Sequence, residues 1–417
     1  MRRPSVNCPW SFLVNRRAFL SELVLAKFVV LTALAALPPA ILGQGKESGP
    51  AATAVPATAA ASVVSHYAAI VHAGYEDTLA AARELQAAVK AFIARPSERD
   101  LVDARVAWLA ARDWYGQTEA FRFYGGPIHD ENGPEGRLNA WPLDESYVDS
   151  VEEQPEAGMI NDRALTISKE VLAENNERGG EENISTGWHA IEFLLWGQDL
   201  ADDGPGARPF TDFVDGGRPN ADRRRRYLDV VTDLLVDDLR SVTDAWSPGR
   251  DNYRAGFEKG AMESVRKIIV GIGSLSRGEL AGERLDVPMS TQDQEDEHSC
   301  FSDNTHRDVV SNALGIGNVW LGRYRRRNGA VLQGPSLREL VAAADAAVAQ
   351  RTTRQVAASV AAAEAIEGPF DREIIGDSEA PGRQRVRKSI DSLVQQSKDL
   401  VDSATAIGIT RLTLTQP

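Results

Sequence analysis

Apolar residues at helical spacing along nearly the whole chain, a near absence of strand-like alternation, and one break rich in Gly, Pro and Asp near the middle predict an all-α protein of two helical-bundle halves. At 417 residues the chain is too long for one simple core, which favours two such halves joined by polar connections. The boundaries that follow are residues 61–205 for the first half and 220–412 for the second.

In the first half, Val63, Tyr67, Ile70, Val71, Leu79, Leu85, Val89 and Phe92 recur at helical spacing until Pro96 ends the run. Residues 101–123 continue the pattern through Val102, Val106, Leu109 and Tyr115, and helices over 157–175 and 185–198 complete the group. Residues 202–220 form the break. In the second half, residues 222–246 place Tyr227, Val231, Leu234, Leu235, Leu239 and Val242 on one stripe. Residues 252–276, 304–326, 336–366 and 383–405 predict further helices. Two connections are long for compact helical domains, residues 124–156 and 277–303, and long ordered loops tend to carry function.

The first fifty residues differ from the rest. Within residues 1–43, Arg2, Arg3, Arg16, Arg17 and Lys27 stand against the single acid Glu22, and an apolar stretch then runs from Phe28 to Leu37 before Pro38, Pro39 and Ala40. A basic start, a short apolar run and small residues describe a signal peptide over 1–43, so an exported protein of the periplasm or cell surface is expected. The apolar run is short for a bilayer span, and no transmembrane helix is expected in the mature chain. Asn15-Arg16-Arg17-Ala18-Phe19-Leu20 resembles the twin-arginine export pattern, with an ordinary Sec signal as the alternative. Residues 44–60, rich in Gly, Ser, Pro and Ala, read as a flexible linker.

Removing residues 1–43 moves the formal charge from −14 to −18. Such acidity argues against a nucleic-acid partner, which requires a basic face. Cys8 leaves with the signal, so Cys300 is left without an intrachain disulfide partner and packing must hold the fold. The basic run at 223–226 is followed by the acids of 229–238 and reads as a solvated helix start. Neither a Gly-x-Ser-x-Gly elbow nor a phosphate-cradling loop is found.

The sharpest chemical signal is Gly187-Trp188-His189-Ala190-Ile191-Glu192. Three residues apart on a helix, His189 and Glu192 share a face and can share one cation. On a helix surface the same pair would be a weak ion pair. Here Trp188, Ile191, Phe193, Leu194, Leu195 and Trp196 make the helix apolar nearly all round, which predicts burial and hence further partners. Gly187 lets a ligand or another backbone approach closely. Asp130, Glu135, Asp144 and Glu145 give the first long loop hard oxygen donors, with Arg137 available to pair with one of them. Ser302, Asp303 and Asn304 are N-capping types placed just before a helical pattern, so Asp303 reads as a cap or as a ligand.

The hexapeptide, with Phe193-Leu194-Leu195-Trp196-Gly197 after it, resembles the Gly-x-His-x-x-Glu signature of the imelysin-like family. Residues 133–145, with their Asn-Ala-Trp-Pro-Leu core, resemble a loop of its iron-regulated protein A subgroup. So does Ser299-Cys300-Phe301-Ser302-Asp303-Asn304-Thr305-His306. The resemblance spans most of residues 61–405. It implies an all-helical fold with a site in the cleft between two bundle-like halves, and a bacterial envelope protein that binds a metal ion or metal chelate for uptake or handling. Iron is the implied metal, zinc the alternative, and envelope iron-transport components the implied partners. Carried over by motif, His189 and Glu192 are the metal residues, with Trp141, Asp303 and His306 as candidate neighbours.

The family also carries a metallopeptidase label, under which Glu192 would be the catalytic residue. A zinc peptidase needs two histidines, a third ligand and a general base. Neither His-Glu-x-x-His nor its inverse occurs, because Phe193 follows Glu192, although His129, His298 or His306 could complete a site through space. Binding is therefore the expected function, with hydrolysis and a non-catalytic peptide- or ligand-binding module as the competing readings.

Overall fold

Burial of one apolar stripe per helix organises the computed structural model, which describes residues 56–201 and 204–414. The predicted signal peptide lies outside the described residues, as does the predicted linker up to residue 55. Residues 57–60 of that linker belong to the first helix.

The described chain begins with α1 (Ala57–Ala94) and α2 (Glu98–Thr118). Helix α1 buries Val64, Ile70, Val71, Leu85, Val89 and Phe92, and stops before Pro96, which disfavours helical geometry in the residue preceding it. Ser97 restarts the chain by accepting the Asp100 N–H at 3.2 Å as the cap of α2. Short helices α3 (Glu135–Asn139), α4 (Glu145–Val148) and α5 (Lys169–Asn175) precede α6 (Gly187–Trp196).

Beyond residue 220 follow α7 (Ala221–Ala245), α8 (Tyr253–Lys259), α9 (Met262–Ser274) and α10 (Val287–Thr291), then α11 (Thr305–Leu321), α12 (Leu337–Ala344), α13 (Ala346–Glu364), α14 (Asp371–Ile374) and α15 (Pro381–Ala406). A two-stranded antiparallel hairpin, β1 (Arg323–Arg325) with β2 (Val331–Gln333), is the sole sheet among the described residues. No helix among them is long and apolar enough to cross a membrane. The all-α expectation holds.

Helix α1 packs on α2 along one side and on α7 along another, while α2 also meets α11. Helices α11, α13 and α15 and the segment 275–286 form the other packed group. Helices α2 and α11 thus run where the two groups meet, and α6 sits against α2 and α7.

Several elements differ from the sequence expectation: the helix expected over 252–276 is split into α8 and α9, and that over 304–326 ends at Leu321 before β1. Residues 277–303 were expected as a loop, yet the helix continues from α9 through wider π winding over Leu275–Asp286 into α10, so irregular chain begins only after Thr291. Its polar residues conceal the helix because Arg284 is fully buried against Glu119 and Glu279, at 2.7 and 2.8 Å. Conversely, the helix expected over 157–175 is helical only from Lys169. Arg223 collects the carbonyls of Met159, Ile160, Asp162 and Leu165, satisfying that turn-rich backbone without a helix. The basic run at 223–226 is therefore no solvated helix start: Arg223 holds this loop, and Arg224 is buried against Asp149. The helix expected over 336–366 breaks at Asp345, whose side chain accepts the N–H groups of Ala347 and Val348.

Candidate functional site

Every residue of α6 is buried, as its sequence predicts. Gly187 has φ +83°, and a Cβ there would fall 2.4 Å from the carbonyl oxygen of Leu138. The close approach is thus by backbone, and it brings α3 onto the first turn of α6. Thr186 reinforces this contact, its hydroxyl donating to the carbonyl of Arg137 at 3.0 Å. His189 and Glu192 stand one turn apart, and Glu192 meets the loop of residues 297–304.

The carboxylate of Glu192 is fully engaged. One oxygen accepts the Ser302 N–H at 3.0 Å and the Ser302 hydroxyl at 2.6 Å, and the other lies 2.9 Å from His189 Nδ1. His189 Nε2 is buried and makes no hydrogen bond. Glu192 therefore stands behind the imidazole, fixing its orientation through Nδ1 and leaving Nε2 as the unpartnered group.

His298 lies edge-on to His189, ring centroids 4.8 Å apart, and Trp141 packs on its other side at 5.1 Å. Both nitrogens of His298 are occupied. Nδ1 is 2.7 Å from Asp308, and Nε2 faces the amide of Asn139 at 3.2 Å. Arg112, from α2, closes the network by donating to Asp308 at 3.0 Å and to Asn139 at 2.6 Å. Ser299 gives Asp308 a further hydroxyl donor at 2.6 Å. The guanidinium also lies among the rings of Trp108, Tyr115 and Trp188. Helices α2, α3, α6 and α11 and one loop thus assemble the site, with residues drawn from both sides of the 202–220 break.

Burial dominates the electrostatics. It pushes the His189 pKa well below the usual imidazole value, and neighbouring His298 and Arg112 push the same way. Burial raises Glu192 to about 8, although the bonds from Ser302 oppose the shift. His298 is lowered to about 4 by burial and by Arg284, against the pull of Asp308. At Asp308, burial alone would raise the carboxyl, but Arg112 and His298 outweigh it and hold the group ionised. Near neutral pH His189 is a neutral imidazole while Glu192 still holds a proton, so a cation binding at His189 would release that proton and leave Glu192 as the carboxylate behind the ring.

The remaining residues singled out from the sequence are placed as follows. Trp141 lines the site beside His298. Asp303 does not cap α11, whose N-terminus has no side-chain cap; it adopts φ 54° and faces Asp199 and Asp371. His306 bonds through Nδ1 to the carbonyl of Asp303 at 3.1 Å and packs on Gly368. In the long loop, Glu135 pairs with Arg122 at 2.7 Å and Asp144 caps α4. Arg137 reaches Asp238 on α7 at 2.8 Å rather than an acid of its own loop. Sequence reasoning missed Arg112 and Asp308 altogether, quoted Asn139 and Ser299 only within motifs and without a role, and gave Ser302 only a capping role. Asp308 had one visible signal: it lies one turn into α11, just beyond the Ser299-to-His306 motif.

Comparison with known proteins bears on the family and the fold. Residues 71–400 match the Imelysin family, which is classed among the peptidases. Iron-regulated protein A of Synechococcus elongatus is 27% identical over 317 residues, covering 73% of this chain and 75% of that protein. A crystal structure assigned as an iron-regulated protein A precursor from Parabacteroides distasonis superposes with a TM-score of 0.66 at 20% identity, covering 85% of this chain and 96% of the other. At that identity the superposition speaks to the fold alone.

Proposed function

The chain belongs to the imelysin family, and from that premise we propose that it is an exported metal-binding protein that handles iron in the bacterial envelope. The observation that carries the reading is the buried, unpartnered Nε2 of His189, whose other nitrogen is held by Glu192 at 2.9 Å. Metal-ligating histidines are commonly arranged in this way, with a carboxylate on the second nitrogen to set the ring and raise its basicity. His189 supplies the nitrogen ligand and Glu192 orients it. An imidazole nitrogen suits iron or zinc, and the likeness to iron-regulated protein A favours iron, with zinc as the alternative.

The donor set favours binding over hydrolysis. The second imidazole of the site, His298, is committed at both nitrogens to Asp308 and Asn139. A zinc peptidase needs two such nitrogens free for the metal.

Elemental analysis of the mature protein tests the proposal, beside His189→Ala and a His189→Ala/Glu192→Ala double variant. Near-stoichiometric iron in the wild type and none in the folded variants is the expected result. Equal metal content in all three would remove His189 from the site. Chelator-sensitive cleavage of an unfolded substrate, lost in Glu192→Ala, would replace binding with hydrolysis. A folded wild type that takes up no transition metal in either redox condition would leave a peptide- or ligand-binding module.

A further inference from the structure

Four carboxylates from three separate stretches of chain meet beside the loop that carries Ser302. Asp199 lies just past the end of α6, Glu297 and Asp303 belong to the 297–304 loop, and Asp371 opens α14. One carboxylate oxygen each from Asp199, Asp303 and Asp371 lies within 4.8 Å of the other two, and all three residues are buried. A single cation with metal–oxygen bonds of about 2.4 Å bridges such a span.

Acidic residues often cluster without binding anything, so Glu297 is the deciding observation. It is 1% exposed, and neither of its carboxylate oxygens has a hydrogen bond of ordinary geometry. Asp371 and Asp303 are the charges that act on it. Neither oxygen of Asp303 has a hydrogen bond of ordinary geometry; Asp371 and the contacting Asp199 push its carboxyl up, and Arg372 acts against them. Burial and the adjacent acids raise Asp303 to about 8 and Glu297 well above the carboxylate range. Buried carboxylates that meet no hydrogen-bond donor are strongly unfavourable as bare charges, so Glu297 and Asp303 must either hold protons or face a cation. A route for a cation exists: Asp199 and Asp371 line an open pocket of about 350 Å³ that also carries Asp293 and Glu295.

We propose that Asp199, Asp303 and Asp371, backed by Glu297, form a calcium site distinct from the His189 centre. The donors are all oxygen, with neither imidazole nor thiolate, which selects a hard cation over zinc or copper. The width of the cluster suits calcium better than magnesium, whose oxygens sit at about 2.0–2.1 Å in a near-ideal octahedron. Calcium there would tie the end of α6, the 297–304 loop and α14 together. Through that loop it would hold Ser302 against Glu192, so the two sites are mechanically linked but chemically separate.

Calorimetric titration of chelator-treated mature protein with calcium chloride tests this, paired with thermal unfolding. The expected result is one calcium per chain with a dissociation constant on the order of 10⁻⁴ M, and a Tm rise of about 3 °C at about 5 mM calcium. Asp303→Asn and Asp371→Asn should each remove the calcium response. In chelator they should match or exceed the wild-type Tm, because each relieves repulsion. Glu297→Gln provides a third folded variant should either aspartate change prevent folding, and it should weaken calcium binding at least tenfold. His189→Ala should keep the full calcium response, which separates this site from the iron reading. Absence of calcium heat and of any Tm shift in the wild type overturns the proposal in favour of carboxyls sharing protons. Calcium binding that survives both aspartate changes overturns it by placing the ion elsewhere.

Discussion

Asp149 and Asp303 are both buried aspartates, yet their surroundings are opposite. Asp149 receives Arg208 at 2.8 Å, Arg224 at 2.7 and 2.9 Å, and the Ser150 N–H at 2.8 Å. Burial would raise its carboxyl, but the two guanidinium groups outweigh it and keep Asp149 ionised well below the usual range. Asp303 receives no hydrogen bond of ordinary geometry and faces other acids. A buried charge whose partners are complete is a structural part, whereas one left without donors marks a place where something else is meant to bind. The same contrast separates His298, bonded at both nitrogens, from His189, bonded at one.

Substitution of the structural arginine gives the largest expected effect. Arg224→Ala strands Asp149 and should cost about 3–5 kcal/mol in urea unfolding, with metal content per folded molecule unchanged. A loss under about 1 kcal/mol would show that Arg208 alone satisfies Asp149 and would blunt the contrast. Next, Glu192→Gln keeps the shape of the site but changes the group on His189 Nδ1. Metal affinity should fall about 10–100-fold, read by competition with a chromogenic chelator. Unchanged affinity would make Glu192 a core residue with no part in orienting the ring.

The pH dependence of the metal-free protein should separate the two kinds of site in one experiment. Glu192 and Asp303, both raised to about 8, bind protons more tightly folded than unfolded. Their contribution is complete below about pH 4 and is lost as pH rises through about 8. Asp149 and Glu119 are lowered, Glu119 to about 2 because Arg122 and Arg284 outweigh its burial. Their contribution is complete above about pH 4.5 and is lost as acid approaches about pH 2. Tm should therefore decline by several degrees on the alkaline side, and Glu192→Gln should flatten that decline without altering the acid limb. An alkaline limb identical in wild type and variant would exclude Glu192 as its source.

The smallest effects lie within the basic run. Arg223→Ala frees four carbonyls and should cost about 2 kcal/mol, whereas exposed Arg226, paired loosely with Asp229 at 3.4 Å, should cost under about 0.5 kcal/mol. Equal costs would deny that the run is divided between structure and surface.

Much of this was legible beforehand, for reasons that differ by element. Helices α1, α2, α7 and α15 follow from apolar spacing because each buries a stripe and exposes the rest. Burial of α6 was readable for the opposite reason, since its residues are apolar on every face. The π-wound continuation of α9 was not, because the residues it buries include Arg284, and a periodicity argument counts an arginine as surface. The turn-rich segment before α5 was mistaken for helix because its backbone is satisfied by Arg223, sixty residues on, which no local pattern registers.

The sequence by itself determined the helical class, the burial of His189 and Glu192, and their placement one turn apart, because each is set by spacing within a single helix. Only the tertiary structure decided that Glu192 stands behind the imidazole, that His298 is already committed, and that Asp303 meets Asp199 and Asp371. Those facts depend on contacts among stretches of chain roughly 70 to 190 residues apart. Packing of α2, α3, α11 and the 297–304 loop sets such contacts, and with them which buried polar groups find partners and which are left to bind something else.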